Sequence, residues 1–521
     1  MHTHMFNARY LPLKGIFRSY EVPNIFVTPL ARFCWFLTRY SDFNLTPRTP
    51  LLQFVEPEKY KQHHKPDVKK KMIEGYIEAM AKDCTTLVNE CLDLNNVVFQ
   101  SSLEENDSSE NCIVFSPTEK AATLLVSSIL DAYDKSMPLA LPIKSEIRGG
   151  QKTYTFNKTN LKDLFKNFLS YAFQSVEHIV DTLDFAWNLT HSEIEIYNRL
   201  RAYYAVVVND STLVHFMMDM AEPFNKNSKY PNDGHTPIAY YKDKNGSQLS
   251  RMKGLFEYAQ NQLIGFSAFD PIRFLKNQSD REEIIAHLDG AKSYGLLGFK
   301  FYPPLGYRPA ENEDERLNNI VDIFLDYCVK TGTPVFTHCT PGGFKLSKNS
   351  KKGLNSDPSF WKTALEKTGR KKLRLCLGHA GGGIYDVTPD KKNTTVKEMS
   401  YGWLSTEVQW KLSTNYAKKV AHLCREFPNV YCELANIDVI IEDKRLRENM
   451  RENLIRELNS PVGTYPLHNK IMYGTDWHMV GMVNDAVSYY QRLLEIFNDD
   501  ALIGYFDKFF YGNAKRYLNL L

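Results

Sequence analysis

An α/β fold built on a parallel sheet is what this 521-residue sequence predicts, and three observations predict it. Short apolar runs recur from residue 213 onward, at 213–218, 263–269, 297–302, 334–338, 373–379, 430–434 and 471–475. Each is followed by a loop and then by a stretch of helical period, the alternation expected of parallel strands joined by helical crossovers. Seven strands are legible in this way and the extreme N-terminus offers an eighth, so the chain predicts a (β/α)8, or TIM, barrel.

The crossover helices follow from spacing and caps. Ser279 with Glu282 three residues later reads as a capping box ahead of Ile284, Ile285 and Leu288, and Gly295 stands where that helix ends. Ile320, Val321, Phe324, Leu325 and Cys328 recur at helical spacing before Gly332, and Ala486, Val487, Tyr490, Leu493, Leu494 and Phe497 do so in the last crossover. Such stripes are core packing.

Residues 7–204 lack this rhythm. They read as several helices, among them 68–89 and 118–135, joined by polar loops. Residues 101–111 are nearly devoid of apolar side chains and predict a mobile loop, and 144–160 predict an irregular link. A barrel needs only about 250 residues. The expected organisation is therefore a barrel formed by 1–6 and 205–521, with 7–204 as a large, mainly helical insertion after the first strand.

Composition narrows the classes. An apolar share of 43% and a charged share of 24% are ordinary globular values and exclude a disordered or fibrous chain. Lys plus Arg number 64 against 61 acidic residues, a net charge of +3 that carries no signature of nucleic-acid binding. Nine cysteines without a CxxC pair read as free thiols in a reducing compartment. The most apolar early stretch, 25–37, is interrupted by Pro29 and Arg32, is too short to span a bilayer and lacks a basic leader segment. The expectation is a cytoplasmic protein whose partner is a small-molecule substrate, neither nucleic acid nor membrane. A homo-oligomer is compatible with the sequence.

The polar residues at the strand ends carry the functional reading. His2 and His4, at i and i+2 of a strand, share a face. His338 ends the run before it, His379 ends another, and Asp476 follows the last. Strand ends form the catalytic face of a barrel, so these side chains are expected to meet there. Imidazole and carboxylate suit Zn²⁺, and also Mn²⁺ or Fe²⁺, with one position left for water. Only Met1 precedes His2, whereas a strand needs about five residues, which predicts further apolar residues upstream.

The sequence resembles the amidohydrolase superfamily, in its amidohydrolase-related branch of hydrolases and decarboxylases. The residues that carry the likeness are His2-Thr3-His4-Met5-Phe6-Asn7, Gly298-Phe299-Lys300-Phe301-Tyr302-Pro303-Pro304-Leu305-Gly306-Tyr307-Arg308-Pro309, and Pro334-Val335-Phe336-Thr337-His338. Three more follow in order: Leu377-Gly378-His379-Ala380-Gly381-Gly382, Tyr473-Gly474-Thr475-Asp476, and Tyr511-Gly512-Asn513-Ala514. The resemblance implies one divalent metal ion, zinc before manganese or iron, held by His2, His4, His338 and Asp476. His379 and Asp476 would be the catalytic residues, transferring the proton of a metal-activated water.

Several positions keep two readings. His379 is either that acid–base group or a further ligand or rim histidine. Lys300 either faces substrate or, carboxylated, bridges two metals, the arrangement less expected here. Arg308, after a stiff Pro-Pro-Leu-Gly turn, is either a clamp for a substrate carboxylate or a loop charge. Tyr302 shares the face of Lys300 and would line the same pocket. Glu433 and Asp219 are expected to be structural ion pairs before pocket acids, and His215, Trp477 and His478 are weaker candidates at the mouth. The lysines from 345 to 352 read as a solvated rim. Gly381-Gly382-Gly383 matches no phosphate loop.

The leading expectation is a hydrolase acting on a small, carboxylated substrate. A non-oxidative decarboxylase at the same site is the alternative, and a catalytically silent barrel serving as an interaction module is a third.

Overall fold

In a computed structural model, residues 2–4, 8–19, 22–43, 66–92, 99–100, 117–136, 144–148, 151–155, 158–173, 189–205, 212–225, 227–232, 239–241, 246–344, 346, 351–389, 397–476 and 486–520 are described. The chain divides into two compact units, one of Met1–Met5, Tyr204–Pro223 and Ala239–Leu521, the other of Phe6–Tyr203 and Phe224–Ile238. Among the described residues no helix is long and apolar enough to cross a membrane.

The first unit holds an eight-stranded sheet. Its strands are β1 (His2–Thr3), β2 (Leu213–Phe216), β3 (Leu263–Phe269), β4 (Gly298–Phe301), β5 (Val335–His338), β6 (Leu375–Gly378), β7 (Val430–Leu434) and β8 (Ile471–Tyr473). They lie side by side in sequence order, and every pairing is parallel. Such order requires a crossover between each pair. Two of these are α1 (Arg281–Ser293) and α2 (Glu315–Thr331), and a further helix, α3 (Ala486–Phe497), follows β8.

Helix α2 shows how local sequence sets an element. The Asp314 carboxylate accepts from the Arg316 N–H at its start, and Gly332, with φ +65°, closes its end by donating to Cys328 and Val329 carbonyls. Between these caps Leu317, Ile320, Val321, Phe324, Leu325 and Cys328 form the buried face. Helix α1 starts one residue later than the Ser279 reading: Asp280 is its cap, accepting from the Glu283 N–H. Ser279 instead donates its N–H to Phe274 and finishes the preceding helix. A carboxylate next to a serine wins the cap because it adds charge at the helix N-terminus.

Below the strand ends the sheet encloses a packed layer of Phe216, Phe266, Phe336, Cys376 and Met472, with Tyr517 and Leu518 of the C-terminal helix against it. Ring centroids of Phe216 and Phe336 are 4.0 Å apart, and the Tyr517 hydroxyl donates to the Val335 carbonyl at 2.8 Å.

The second unit is mainly helical. Helices Asn24–Phe43, Pro66–Cys91, Pro117–Ser136 and Lys158–Phe173 supply its core, including Phe33, Leu37, Met80, Cys84, Val88, Val126, Ile129, Phe165 and Phe168. The stretch read as an irregular link contains an antiparallel hairpin of Lys144–Arg148 and Gln151–Thr155, extended by Phe99–Gln100, before the last of these helices begins. The two strands carry no apolar alternation, which hid them from the sequence reading. The loop read at 101–111 lies outside the described residues.

Candidate active site

Consecutive strands deliver polar side chains to one end of the sheet. His338 is the last residue of β5, His379 follows β6, Glu433 lies near the end of β7, and Asp476 comes shortly after β8. Lys300 is on β4, with Tyr302 just beyond it. All are buried: His338 and His379 are 3% exposed, Asp476 4%, Glu433 2% and Lys300 1%. Burying this many ionisable groups is costly unless they share charge or turn neutral.

The described contacts tie them together. Nε2 of His4 lies 3.6 Å from Oδ1 of Asp476, while its Nδ1 is 2.6 Å from the Phe216 carbonyl. The sheet's two outer strands, β1 and β8, thus bring side chains together just past their C-terminal ends. The rings of His338 and His379 meet edge to face at 4.6 Å, and Tyr302 packs on His338 at 4.9 Å. Lys300 Nζ stands 4.3 Å from the centre of the Phe336 ring and 5.0 Å from that of Phe216, a cation–π setting worth about 2 kcal/mol when desolvated.

Burial governs the protonation of the set. Desolvation pulls Lys300 below the usual lysine range against the opposing pull of Asp476 and Glu433. It lifts the Asp476 carboxyl above the usual range, with Lys300 opposing and Glu433 reinforcing. His379 is pushed down to about 4 by burial, so its imidazole is neutral at pH 7. Glu433 is raised by burial, with His379 opposing. Each group is driven toward its uncharged form.

Backbone strain gathers at the same end. His379 has φ +62°, Ala380 +46°, Asn436 +54° and Asp476 +50°, all non-glycine residues in the left-handed region. Such conformations cluster where a site over-determines them. A Cβ at Gly474 would lie 1.3 Å from Oε2 of Glu433, so a side chain there would displace that carboxyl group.

The implied metal centre is matched in part. Donors about 2.0–2.1 Å from a tetrahedral ion stand about 3.4 Å apart, so the His4 and Asp476 pair suits two ligands of one ion. Nε2 of His338 lies 3.1 Å from the Gly342 carbonyl. Of His2 only the backbone is described, paired with Val214. Among the described residues no three His, Cys, Asp or Glu side chains gather closely enough to hold an ion. The residues described therefore furnish two donors, not a complete centre.

Other expectations fare differently. Arg308 is engaged away from the cluster: its Nε donates to Asn355 at 2.8 Å, its Nη1 to the Glu311 carbonyl, and its guanidinium stacks on Phe360. Asp219 forms a bidentate ion pair with Arg273, at 2.7 and 2.8 Å. The Tyr302 hydroxyl accepts from the Phe344 N–H at 2.6 Å. His215 is buried on β2. Lys351 Nζ donates to the Thr388 carbonyl at 3.0 Å, and the exposed Lys352 reaches Gly306. Trp477, His478, Lys345 and Lys348 lie outside the described residues. Asp270, directly after β3, was missed by the sequence reading although its strand-end position was a usable signal. It is buried, and desolvation together with Asp219 raises its carboxyl well above the usual range.

No family model and no curated protein matches the chain. Among solved structures it is similar to 5-carboxyvanillate decarboxylase of Sphingomonas paucimobilis, at 10% identity and a TM-score of 0.33, covering 62% of this chain and 82% of that one. It is also similar to 2,6-dihydroxybenzoate decarboxylase from Rhizobium, at 11% identity and a TM-score of 0.34, over 61% and 87% of the two chains. A third is a dihydroxybenzoic acid decarboxylase from Polaromonas sp. JS666 with bound manganese and the inhibitor 2-nitroresorcinol, at 12% and 0.34, over 62% and 85%. Solved decarboxylases are thus among the structures this chain is similar to. A likeness this low assigns no reaction to it.

Proposed function

We propose that this chain is a metal-dependent enzyme of amidohydrolase type, acting on a small carboxylated substrate at the C-terminal mouth of a closed (β/α)8 barrel. Residues 7–204 would be its helical insertion, and the cytoplasm its compartment. The observation that carries the reading is the gathering of Lys300, His379 and Asp476, from three different strands, in one buried cluster above a floor of aromatic rings. A barrel by itself names no reaction, so the argument rests on these side chains.

Each has a role that its surroundings support. Lys300 offers the one cation to a substrate carboxylate, strengthened because the rings beneath it exclude water. His379, neutral at pH 7, accepts a proton and returns it, while Asp476 would double as proton acceptor beside the ion it holds with His4. A divalent ion at the His4 and Asp476 pair, zinc, manganese or iron, would supply Lewis acidity toward a substrate oxygen. Hydrolysis uses His379 as base.

Decarboxylation is the second reading. It needs a proton for the carbon that loses carbon dioxide, which the Lys300, His379 and Asp476 cluster would supply. Incubation with carboxylated aromatic and muconate-type acids in ¹⁸O-water separates the two. Label in the acid product supports hydrolysis, and carbon dioxide release without label supports decarboxylation. No turnover of either kind by folded, metal-supplemented protein refutes both in favour of a silent barrel. Elemental analysis of the native chain beside His338→Ala and Asp476→Ala tests the metal: about one ion per chain is expected, and a ratio near two would make Lys300 a bridging carbamate.

A further inference from the structure

We propose that Glu433 is the positioning residue for His379, acting on the histidine's backbone and through it on the proton-transfer atom. The inference deepens the reading of His379 as an acid–base group and rests on it.

His379 follows β6 in a left-handed conformation, φ +62°, and Ala380 continues it at +46°. A histidine and an alanine hold such a conformation only where neighbouring groups impose it. Two groups from the end of β7 do so here. Oε1 of Glu433 accepts from the His379 backbone N–H at 3.3 Å, and the Ala435 carbonyl lies 3.3 Å from Nδ1 of the ring. A carbonyl only accepts, so Nδ1 carries the proton and Nε2 keeps the lone pair that makes the ring a base.

The third strand end leaves room for this clamp. Oε2 of Glu433 lies where a side chain at Gly474 would begin, 1.3 Å from an ideal Cβ, with the Ala435 Cβ at 3.1 Å. The Gly474 N–H in turn donates to the Leu434 carbonyl at 3.0 Å. Gly474 is two residues ahead of Asp476. Glu433 is thus wedged between the ends of β6 and β8, and its carboxylate sets where the histidine between them stands. A glutamate serving only as a structural counter-ion would need neither a glycine facing it nor the amide of one particular residue.

The experiment compares Glu433→Ala, Glu433→Gln and Gly474→Ala with the native chain, by amide and imidazole NMR of His379 and by kcat and KM on whichever carboxylated acid is turned over. Glu433→Ala is expected to shift the His379 amide resonance and to lower kcat about 100-fold, with KM within about threefold. Glu433→Gln keeps an acceptor oxygen, so it should restore the amide resonance and hold kcat within about tenfold of the native value. Gly474→Ala displaces an intact Glu433 and should reproduce the spectral change, which covers the case in which Glu433→Ala fails to fold. Unmoved His379 resonances in Gly474→Ala and Glu433→Ala, or a glutamine variant as damaged as the alanine one, overturns the proposal. If the resonances respond as described but no acid is turned over, the clamp on His379 stands and the catalytic reading of the site falls.

Discussion

The two units of this chain bury opposite kinds of side chain. The helical unit's main core packs Phe33, Leu37, Met80, Val126, Ile129, Phe165 and Phe168 from four helices, and the polar side chains these helices bury are hydroxyls such as Thr38, Thr85 and Ser127. The parallel-sheet unit buries Lys300, His338, His379, Glu433 and Asp476 at its strand ends, directly above a layer of phenylalanine rings. An apolar core is stabilising in itself. A polar cluster costs desolvation energy and backbone strain, and the proposed function assigns its chemistry to this cluster in the sheet unit.

That contrast can be broken or sharpened by measurement. The largest effect is expected at Asp476→Asn, which removes the shared acid while preserving shape: turnover should fall by about 10³- to 10⁴-fold with little loss of thermal stability. Retained turnover would place the chemistry elsewhere. Next comes Phe168→Ala in the helical core, where the side chain is fully buried. It should cost about 3–5 kcal/mol in chemical unfolding of that unit and leave kcat of the folded fraction unchanged. A fall in kcat at full folding would mean that the helical unit takes part in catalysis.

The third effect is a pH dependence. His379 sits near 4 in the folded chain against an ordinary value of 6.5. Between these values the unfolded chain binds more protons, so stability from the neutral ring is complete above pH 6.5 and is lost as pH falls toward 4. The loss is on the order of 3 kcal/mol. A His379→Gln variant should lack this part of the acid destabilisation when unfolding is followed across that range. The smallest effect belongs to Asp280→Ala at the start of α1, about 1 kcal/mol in the same assay with activity intact. Ser279→Ala should do less, which distinguishes the observed cap from the one read in the sequence.

Local periodicity made much of this legible. Period-2 and period-3.6 patterns depend on residues a few positions apart, so the seven strands from 213 onward, the buried face of α2 and its Gly332 stop could be read directly. The polar hairpin at 144–155 could not, because its strands carry no apolar alternation to reveal them. The strand-end positions of His338, His379 and Asp476 were likewise readable, since a polar residue closing an apolar run stands out.

What those residues touch was decided by the tertiary structure alone. Strand register and the turns after the strands set distances between side chains that are scores of residues apart. They turn His338 toward Gly342, place His4 beside Asp476, and hold Arg308 on Asn355 and Phe360. They also change Glu433 from an expected ion-pair acid into the group that grips the His379 backbone in the space left by Gly474. The sequence by itself determined which chemical groups reach the mouth of the sheet, because that depends on each strand separately. Which of them meet, and in what protonation state, depends on burial and on packing across strands, and no local pattern encodes either.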